Sequence, residues 1–105
     1  MHNKPRIHRL SPLAVSDLEG IWLYTFQQWS LEQADAYVGD IIAAFSRLAR
    51  GEAIGQPVSE RAGYWKYRVK HHMVYFRQSD DFVDVIRILH VRMDADTHLT
   101  EQAGG

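Results

Sequence analysis

The feature that most constrains this chain is its last third, Tyr64 to Leu99, where three runs rich in β-branched and aromatic residues follow one another. The runs are Tyr64–Val69, Met73–Arg77 and Phe82–Val91, separated by Lys70-His71-His72 and by Gln78-Ser79-Asp80-Asp81. Breaks this short permit only hairpins, so the spacing predicts consecutive antiparallel strands. With regular alternation the third run is apolar on both faces, Phe82, Ile86 and Ile88 on one and Val83, Val85, Leu89 and Val91 on the other. A strand of that kind belongs inside a sheet. Its continuation through Arg92, Asp94 and His98 is polar, and function is expected at this exit.

The preceding residues read as cover for that sheet. Pro5 to Leu10 suits a short first strand, with proline at its start. Ser11-Pro12 supplies an N-cap and a proline at the first helical position. Ala14, Leu18, Ile21, Trp22, Thr25 and Trp29 then recur at helical spacing and predict one apolar face. Gly20 lowers the propensity of this helix by up to ~1 kcal/mol relative to alanine, and we read it as marking a close backbone contact. Ser30 opens a second helix, with Gln33 completing a capping-box pattern. Its stripe is Ala34, Tyr37, Val38, Ile41, Ile42, Phe45 and Leu48, and Arg47, Arg50 and Gly51 furnish its stop. Gly51 to Gly63 is a loop. The order β-α-α-β-β-β implies an α+β sandwich, a helical hairpin packed on a mostly antiparallel sheet. At 105 residues the chain reads as one domain, with Thr100 to Gly105 a frayed tail.

Charge divides the chain in two. From Leu10 to Ser46 there is no Lys or Arg, but Asp17, Glu19, Glu32, Asp35 and Asp40 are present. Between Glu60 and Asp80 there is no acid, but Arg61, Lys66, Arg68, Lys70 and Arg77 are present. The helices are therefore acidic and the sheet basic, within a net charge of −1. A protein that binds nucleic acid mainly through phosphates usually shows a clear basic excess, and this chain has only a local basic patch, so no direct sequence-specific nucleic-acid binding is expected. The absence of cysteine excludes disulfides, thiolate metal sites and a cysteine nucleophile. With no apolar run near the about 20 residues of a membrane span, a cytoplasmic protein without membrane contact is expected.

Six histidines invite a metal hypothesis. None pairs with another at i, i+4 on a helix, and adjacent His71 and His72 would diverge on a strand, so no metal and no cofactor is expected. A general acid–base set is the stronger candidate. Arg68, His72, Arg92 and His98 would converge if the central strands lie side by side, arginines holding a phosphate and histidine moving a proton. Alternatively Arg92 pairs with Asp94 or Asp96 and His98 caps the chain end. The lack of a tyrosine or lysine near the C-terminus favours that second reading. On the helices, Trp22, Leu23 and Phe26 add to a wide apolar arc, and Ala36, Gly39, Ala43 and Ser46 leave the outer side of the second helix small. An apolar surplus beside acidic helices suits a protein held in a complex.

The ordered set of Leu10-Ser-Pro-Leu-Ala-Val-Ser-Asp-Leu-Glu-Gly-Ile-Trp-Leu-Tyr-Thr, Gln33-Ala34 with Tyr37, Tyr67-Arg68-Val69, Val74-Tyr75-Phe76 and Ile86-Arg87-Ile88-Leu89-His90 with Arg92-Met93-Asp94 and His98-Leu99 resembles the ParE branch of the RelE/ParE toxin family, from Pro5 to Leu99. The resemblance implies the toxin of a bacterial type II toxin–antitoxin pair, with the sandwich already inferred. It implies DNA gyrase as target, trapped with cleaved DNA, and no established catalytic residues. It also implies a ParD-like antitoxin whose disordered segment folds over the toxin in a hetero-oligomer. On this basis Arg92, Asp94 and His98 are expected to contact the target, and Trp22, Leu23, Phe26, Ala36 and Ala43 the antitoxin. The RelE branch, which cuts mRNA on the ribosome, is the alternative, with Arg68, His72, Arg92 and His98 as its set; an inactive member bound only by its antitoxin is a third. His98 replaces a tyrosine of that branch, and His72 stands where it often has arginine, so the nuclease set is incomplete.

Overall fold

The computed structural model describes residues 4–93 together with Leu99. Its elements are β1 (Ile7–Leu10), α1 (Pro12–Gln28), α2 (Leu31–Ala49), β2 (Gln56–Pro57), β3 (Trp65–Val69), β4 (His72–Gln78) and β5 (Phe82–His90). Asp94, His98 and the expected tail from Thr100 to Gly105 lie outside the described residues.

Both helices begin as their sequences require. The Ser11 hydroxyl accepts from the Ala14 amide at 3.0 Å, and the Ser30 hydroxyl from the Gln33 amide at 3.0 Å. Gly51, at φ +76°, ends α2 in a conformation that glycine adopts freely. Arg6 caps the same helix end from β1's side, donating from Nη2 to the Leu48 carbonyl at 2.8 Å while its own amide reaches the Ala49 carbonyl at 3.1 Å. A cation placed there also opposes the negative end of the helix dipole.

The strand order is β1-β5-β4-β3-β2. β1 lies parallel to β5, and every other pair is antiparallel. The helical hairpin packs on one face. Ala14, Ile41, Phe45 and Leu48 meet Val69, Val74, Phe76, Val83, Val85 and Ile88 there. A second cluster, Val58, Tyr75, Leu89 and Leu99 with Tyr64, Met73 and Ile86, occupies the opposite face. Leu99 is 1% exposed, so the chain's end seals apolar surface that the helices do not reach.

Four sequence expectations need correcting. Regular alternation would place Ile86 beside Ile88. In the structure Phe76 opposes Val85 while Tyr75 opposes Arg87, so β5 carries a bulge at Ile86. The extra residue flips the side-chain phase, putting Val83, Val85 and Ile88 under the helices and Ile86 and Leu89 on the other face. Trp29 leaves α1's apolar face because the helix stops at Gln28, and the indole is 70% exposed. Ile42 is exposed, and Ala44 and Ala49 join the buried side of α2 instead. Finally, a methyl group at Gly20 would meet nothing within 4 Å, so this glycine marks no close contact.

The close approach is at Gly55, which sequence marked only as loop punctuation. A Cβ there would lie 2.6 Å from Cζ of Phe76 and 3.0 Å from the Lys66 carbonyl. Phe76 is 1% exposed and cannot move aside. Among the described residues no helix is long and apolar enough to cross a membrane.

The two glycines should therefore respond oppositely to the same change. Gly20→Ala is expected to stabilise the fold by about 0.5–1 kcal/mol through helix propensity. Gly55→Ala is expected to destabilise it by about 1–3 kcal/mol through overpacking. Urea midpoints at constant m-value measure both; a destabilised Gly20→Ala would mean that the groove beside α1 depends on the missing side chain.

Candidate functional site

β1 is four residues long and pairs with β5 only as far as Val85. Past that point the outer edge of β5 has no strand beside it among the described residues, and α1 supplies the partners instead. The Ser11 hydroxyl donates to the Ile86 carbonyl at 2.7 Å. Asp17 Oδ2 accepts from the Ile88 amide at 2.9 Å and from Arg87 Nε at 2.8 Å, and its Oδ1 accepts from Arg87 Nη2 at 2.9 Å. Arg87 is 8% exposed. A two-pronged, charge-assisted pair of this kind satisfies its own buried charges and fixes the angle between helix and strand. Sequence reading placed Asp17 only among the acids of the helical half. The overlooked signal was Arg87 itself, a single cation inside the apolar run Val85-Ile86-Arg87-Ile88-Leu89.

With α1 held this way, a groove of about 430 Å³ opens between it and the end of β5, lined by Gly20, Ile21, Tyr24, His72, Ile88 and His90 among others. The β3–β4 turn closes that end of the sheet. Lys70 sits at φ +55°, an unfavourable conformation for a residue with a Cβ, and its surroundings hold it there. The Tyr37 hydroxyl of α2 accepts from the His71 amide at 3.1 Å, Arg68 Nε donates to the Lys70 carbonyl at 2.7 Å, and Lys70 Nζ pairs with Asp40 at 3.0 Å. Tyr37 thus fastens the hairpin to the helical layer.

The same hydroxyl fixes His72. While it accepts from the His71 amide, it also makes a hydrogen bond of 2.8 Å with His72 Nδ1. Burial, together with the neighbouring His90 and His71, lowers the His72 pKa from 6.5 to about 4, against a smaller opposing effect of Asp17. His72 is therefore neutral near pH 7. The His90 ring crosses that of His72 edge-on at a centroid distance of 5.4 Å and stacks with that of His71 at 6.4 Å. His90 Nδ1 accepts from the Arg92 amide at 3.2 Å, which bends the chain out of the sheet and leaves Arg92 exposed.

The acid–base set therefore divides. β3, β4 and β5 do lie side by side, but Arg68 alternates with Tyr67 and Val69, which face the helices, and so occupies the opposite face of the sheet from His72. Arg92 stands at the strand exit, and His98 lies outside the described residues, as does Asp94. Among the described residues no group of three or more His, Cys, Asp or Glu side chains is placed to hold a metal ion.

The second surface is on the helices. Trp22 and Phe26 stack at 5.3 Å, nearly parallel, and the indole N–H donates to Asp35 at 2.9 Å across the hairpin. Beside them Leu23, Phe26, Trp29 and Leu31 are 44–70% exposed. Ala36, Gly39 and Ala43 are exposed along the outer side of α2, without bulk to keep a partner at a distance.

Comparison with known proteins places this geometry. A family model described as the ParE toxin of the type II toxin–antitoxin system parDE matches residues 8–95. The chain belongs to the ParE toxin family. It is 39% identical over 93 residues to Toxin ParE1 of Caulobacter vibrioides, covering 88% of this chain and 96% of that one. It is 38% identical over 92 residues to Toxin ParE1 of Mycobacterium tuberculosis, covering 86% and 94%. Among solved structures, a chain of the chromosomal ParDE system from P. aeruginosa superposes with a TM-score of 0.74 at 20% identity, over 87% of this chain and all of that one. A chain of the RelBE2 toxin–antitoxin complex from Mycobacterium tuberculosis superposes at 0.55, also at 20% identity, over 83% and 99%. The α+β sandwich is thus the RelE/ParE fold, and this ParE-family protein is a toxin–antitoxin toxin whose partner is an antitoxin.

Two outcomes test the site's construction. Asp17→Ala takes the two-pronged carboxylate from a buried guanidinium and from the Ile88 amide and should cost about 3–5 kcal/mol, whereas Asp17→Leu with Arg87→Met should recover most of that loss; chemical denaturation measures both. Since the folded pKa of His72 lies below its ordinary 6.5, its contribution to stability is complete above pH 6.5 and is lost as pH falls towards about 4. His72→Phe should flatten the stability profile across that window, and an unchanged slope would assign the titration elsewhere.

Proposed function

We propose that this toxin arrests growth by binding DNA gyrase and holding it on cleaved DNA, without catalysing a reaction itself. The observation that carries the reading is the division of the acid–base set. Arg68 and His72 occupy opposite faces of the sheet, and His72, with a pKa of about 4 and its Nδ1 bonded to Tyr37, is neutral near pH 7 and not poised as a general acid. General acid–base catalysis needs such groups within reach of one reacting centre and poised near the working pH. The site is better suited to contact than to chemistry, and the ribosome-dependent nuclease alternative loses its constellation.

In this reading the strand exit is the target contact. Arg92 projects from a turn pinned by His90, and Asp94 and His98 follow it in sequence. The antitoxin takes the helices. The stacked Trp22–Phe26 pair with Leu23 offers a central aromatic anchor, and the small side chains of Ala36 and Ala43 let a partner segment approach α2 closely. The acids Glu19, Glu32, Asp35 and Asp40 fringe these surfaces, so the antitoxin segment is expected to carry lysine or arginine at its rim.

Purified protein at micromolar concentration should inhibit gyrase supercoiling and accumulate cleaved plasmid. Arg92→Ala should weaken this by about tenfold or more, the loss of one charged hydrogen bond. Gyrase that runs normally would sink the reading; cleavage of message in a translating extract would replace it with the nuclease. The gene beside this one should encode a small antitoxin, and Trp22→Ala should weaken its binding by roughly 30-fold or more while leaving supercoiling inhibition in place.

A further inference from the structure

The sheet face turned away from the helices carries cations with no ion-pair partner among the described residues, and we infer that it is a non-sequence-specific binding surface for the phosphate backbone of duplex DNA. On β3, Lys66 and Arg68 alternate with Trp65, Tyr67 and Val69, whose side chains pack beneath the helices, so both cations stand on the far face. On β4, Arg77 follows Tyr75 by two residues and shares that face. None of the three forms an ion pair among the described residues. Arg68 gives Nε to the Lys70 carbonyl, and the Arg77 guanidinium lies 5.4 Å from the centre of the Tyr64 ring. The two arginines are each steadied by a neutral group, and Asp84, the neighbour of Arg77 across the strand, gives its carboxylate to Arg9. The nearest cation on β1 behaves differently, since Arg9 is neutralised by Asp84 at 2.7 Å.

The identity of the occupant follows from the charge and from the shape of the surface. Of the three cations, Lys66 and Arg68 lie about 7 Å apart along β3, and Arg77 on β4 lies diagonally about 8 Å from Lys66. That array suits a polyanion of regular high charge density, and B-DNA carries one phosphate charge per about 1.7 Å of axis. The helical layer has the opposite sign, with five acids and no Lys or Arg from Leu10 to Ser46. A DNA duplex is therefore repelled from one side of the molecule and attracted to the other, which sets orientation as well as affinity. The inference deepens the gyrase reading, because a toxin that holds a cleaved complex gains grip by touching the DNA as well as the enzyme. It stands or falls without gyrase in the tube.

Fluorescence anisotropy of a labelled duplex of about 30 base pairs, titrated with the purified protein, provides the test. With three phosphates neutralised, affinity should fall roughly 40-fold between about 50 and 200 mM salt. Combined Lys66→Gln, Arg68→Gln and Arg77→Gln should lose at least about tenfold in affinity at the lower salt and most of the salt dependence. Exchanging Lys4 and Arg50 for Gln at the other end of the sheet should change little, and melting curves check that both variants fold. No duplex binding at low salt, or equal binding by the triple variant, overturns the inference. Stronger binding to polyglutamate than to duplex also overturns it, in favour of an acidic protein partner. Because the assay contains no gyrase, lost duplex binding alongside intact gyrase inhibition removes this inference alone, and the converse removes the gyrase reading alone.

Discussion

The structure depends on how the free edge of β5 is closed. A four-residue β1 covers less than half of a nine-residue strand, and the remainder would present bare amides and carbonyls to solvent. Asp17 solves this with one side chain, taking the Ile88 amide and two guanidinium nitrogens of Arg87 together. The pair is buried and mutually satisfied, so its contribution is less a gain in stability than a restriction on where α1 can lie. Everything beyond it follows from that placement. The groove beside Gly20 and Tyr24, the cover over His72 and the free apolar side of α1 all have the positions that this clamp gives α1.

A second fastening acts at the same end of the molecule. Tyr37 reaches from α2 to the β3–β4 turn and holds both the His71 amide and the His72 ring. The turn is strained at Lys70, and the strain persists because Tyr37, Arg68 and Asp40 constrain it from three sides. Strained, over-determined backbone beside an exposed arginine is common where a protein makes a functional contact. Here it sets the direction in which the chain leaves β5 and so the direction of Arg92.

A RelBE2 chain and a ParDE chain share this fold while each is only 20% identical to the sequence described. A sandwich of this size tolerates such divergence because its requirements are local, namely two capped helices, three strands and one edge closure. Function then lies in which polar groups the frame brings together. In this toxin the sheet separates Arg68 from His72, and the helices keep His72 neutral. The same frame places the acids of the helical layer and the cations of β3 and β4 on opposite sides of the sheet.

Much of this was legible in the chain. Ser11-Pro12 and Ser30 set the helix starts, Gly51 set a helix end, and the three apolar runs set the hairpins, because these signals act between residues close in sequence. The ordered motifs from Leu10 to Leu99 carried the family. What sequence alone could not supply were relations between distant residues. The bulge at Ile86 reversed the faces of β5, and no local pattern announces which residue of a strand is left unpaired. Asp17 and Arg87 are 70 residues apart, as Gly55 and Phe76 are separated by two strands' worth of chain, and their contacts exist only once the sheet is assembled. Arg68 and His72 looked equivalent as titratable neighbours. The turn at Lys70-His71 pairs Arg68 with Met73 and Val69 with His72, so the pleat of the assembled sheet puts the two side chains on opposite faces.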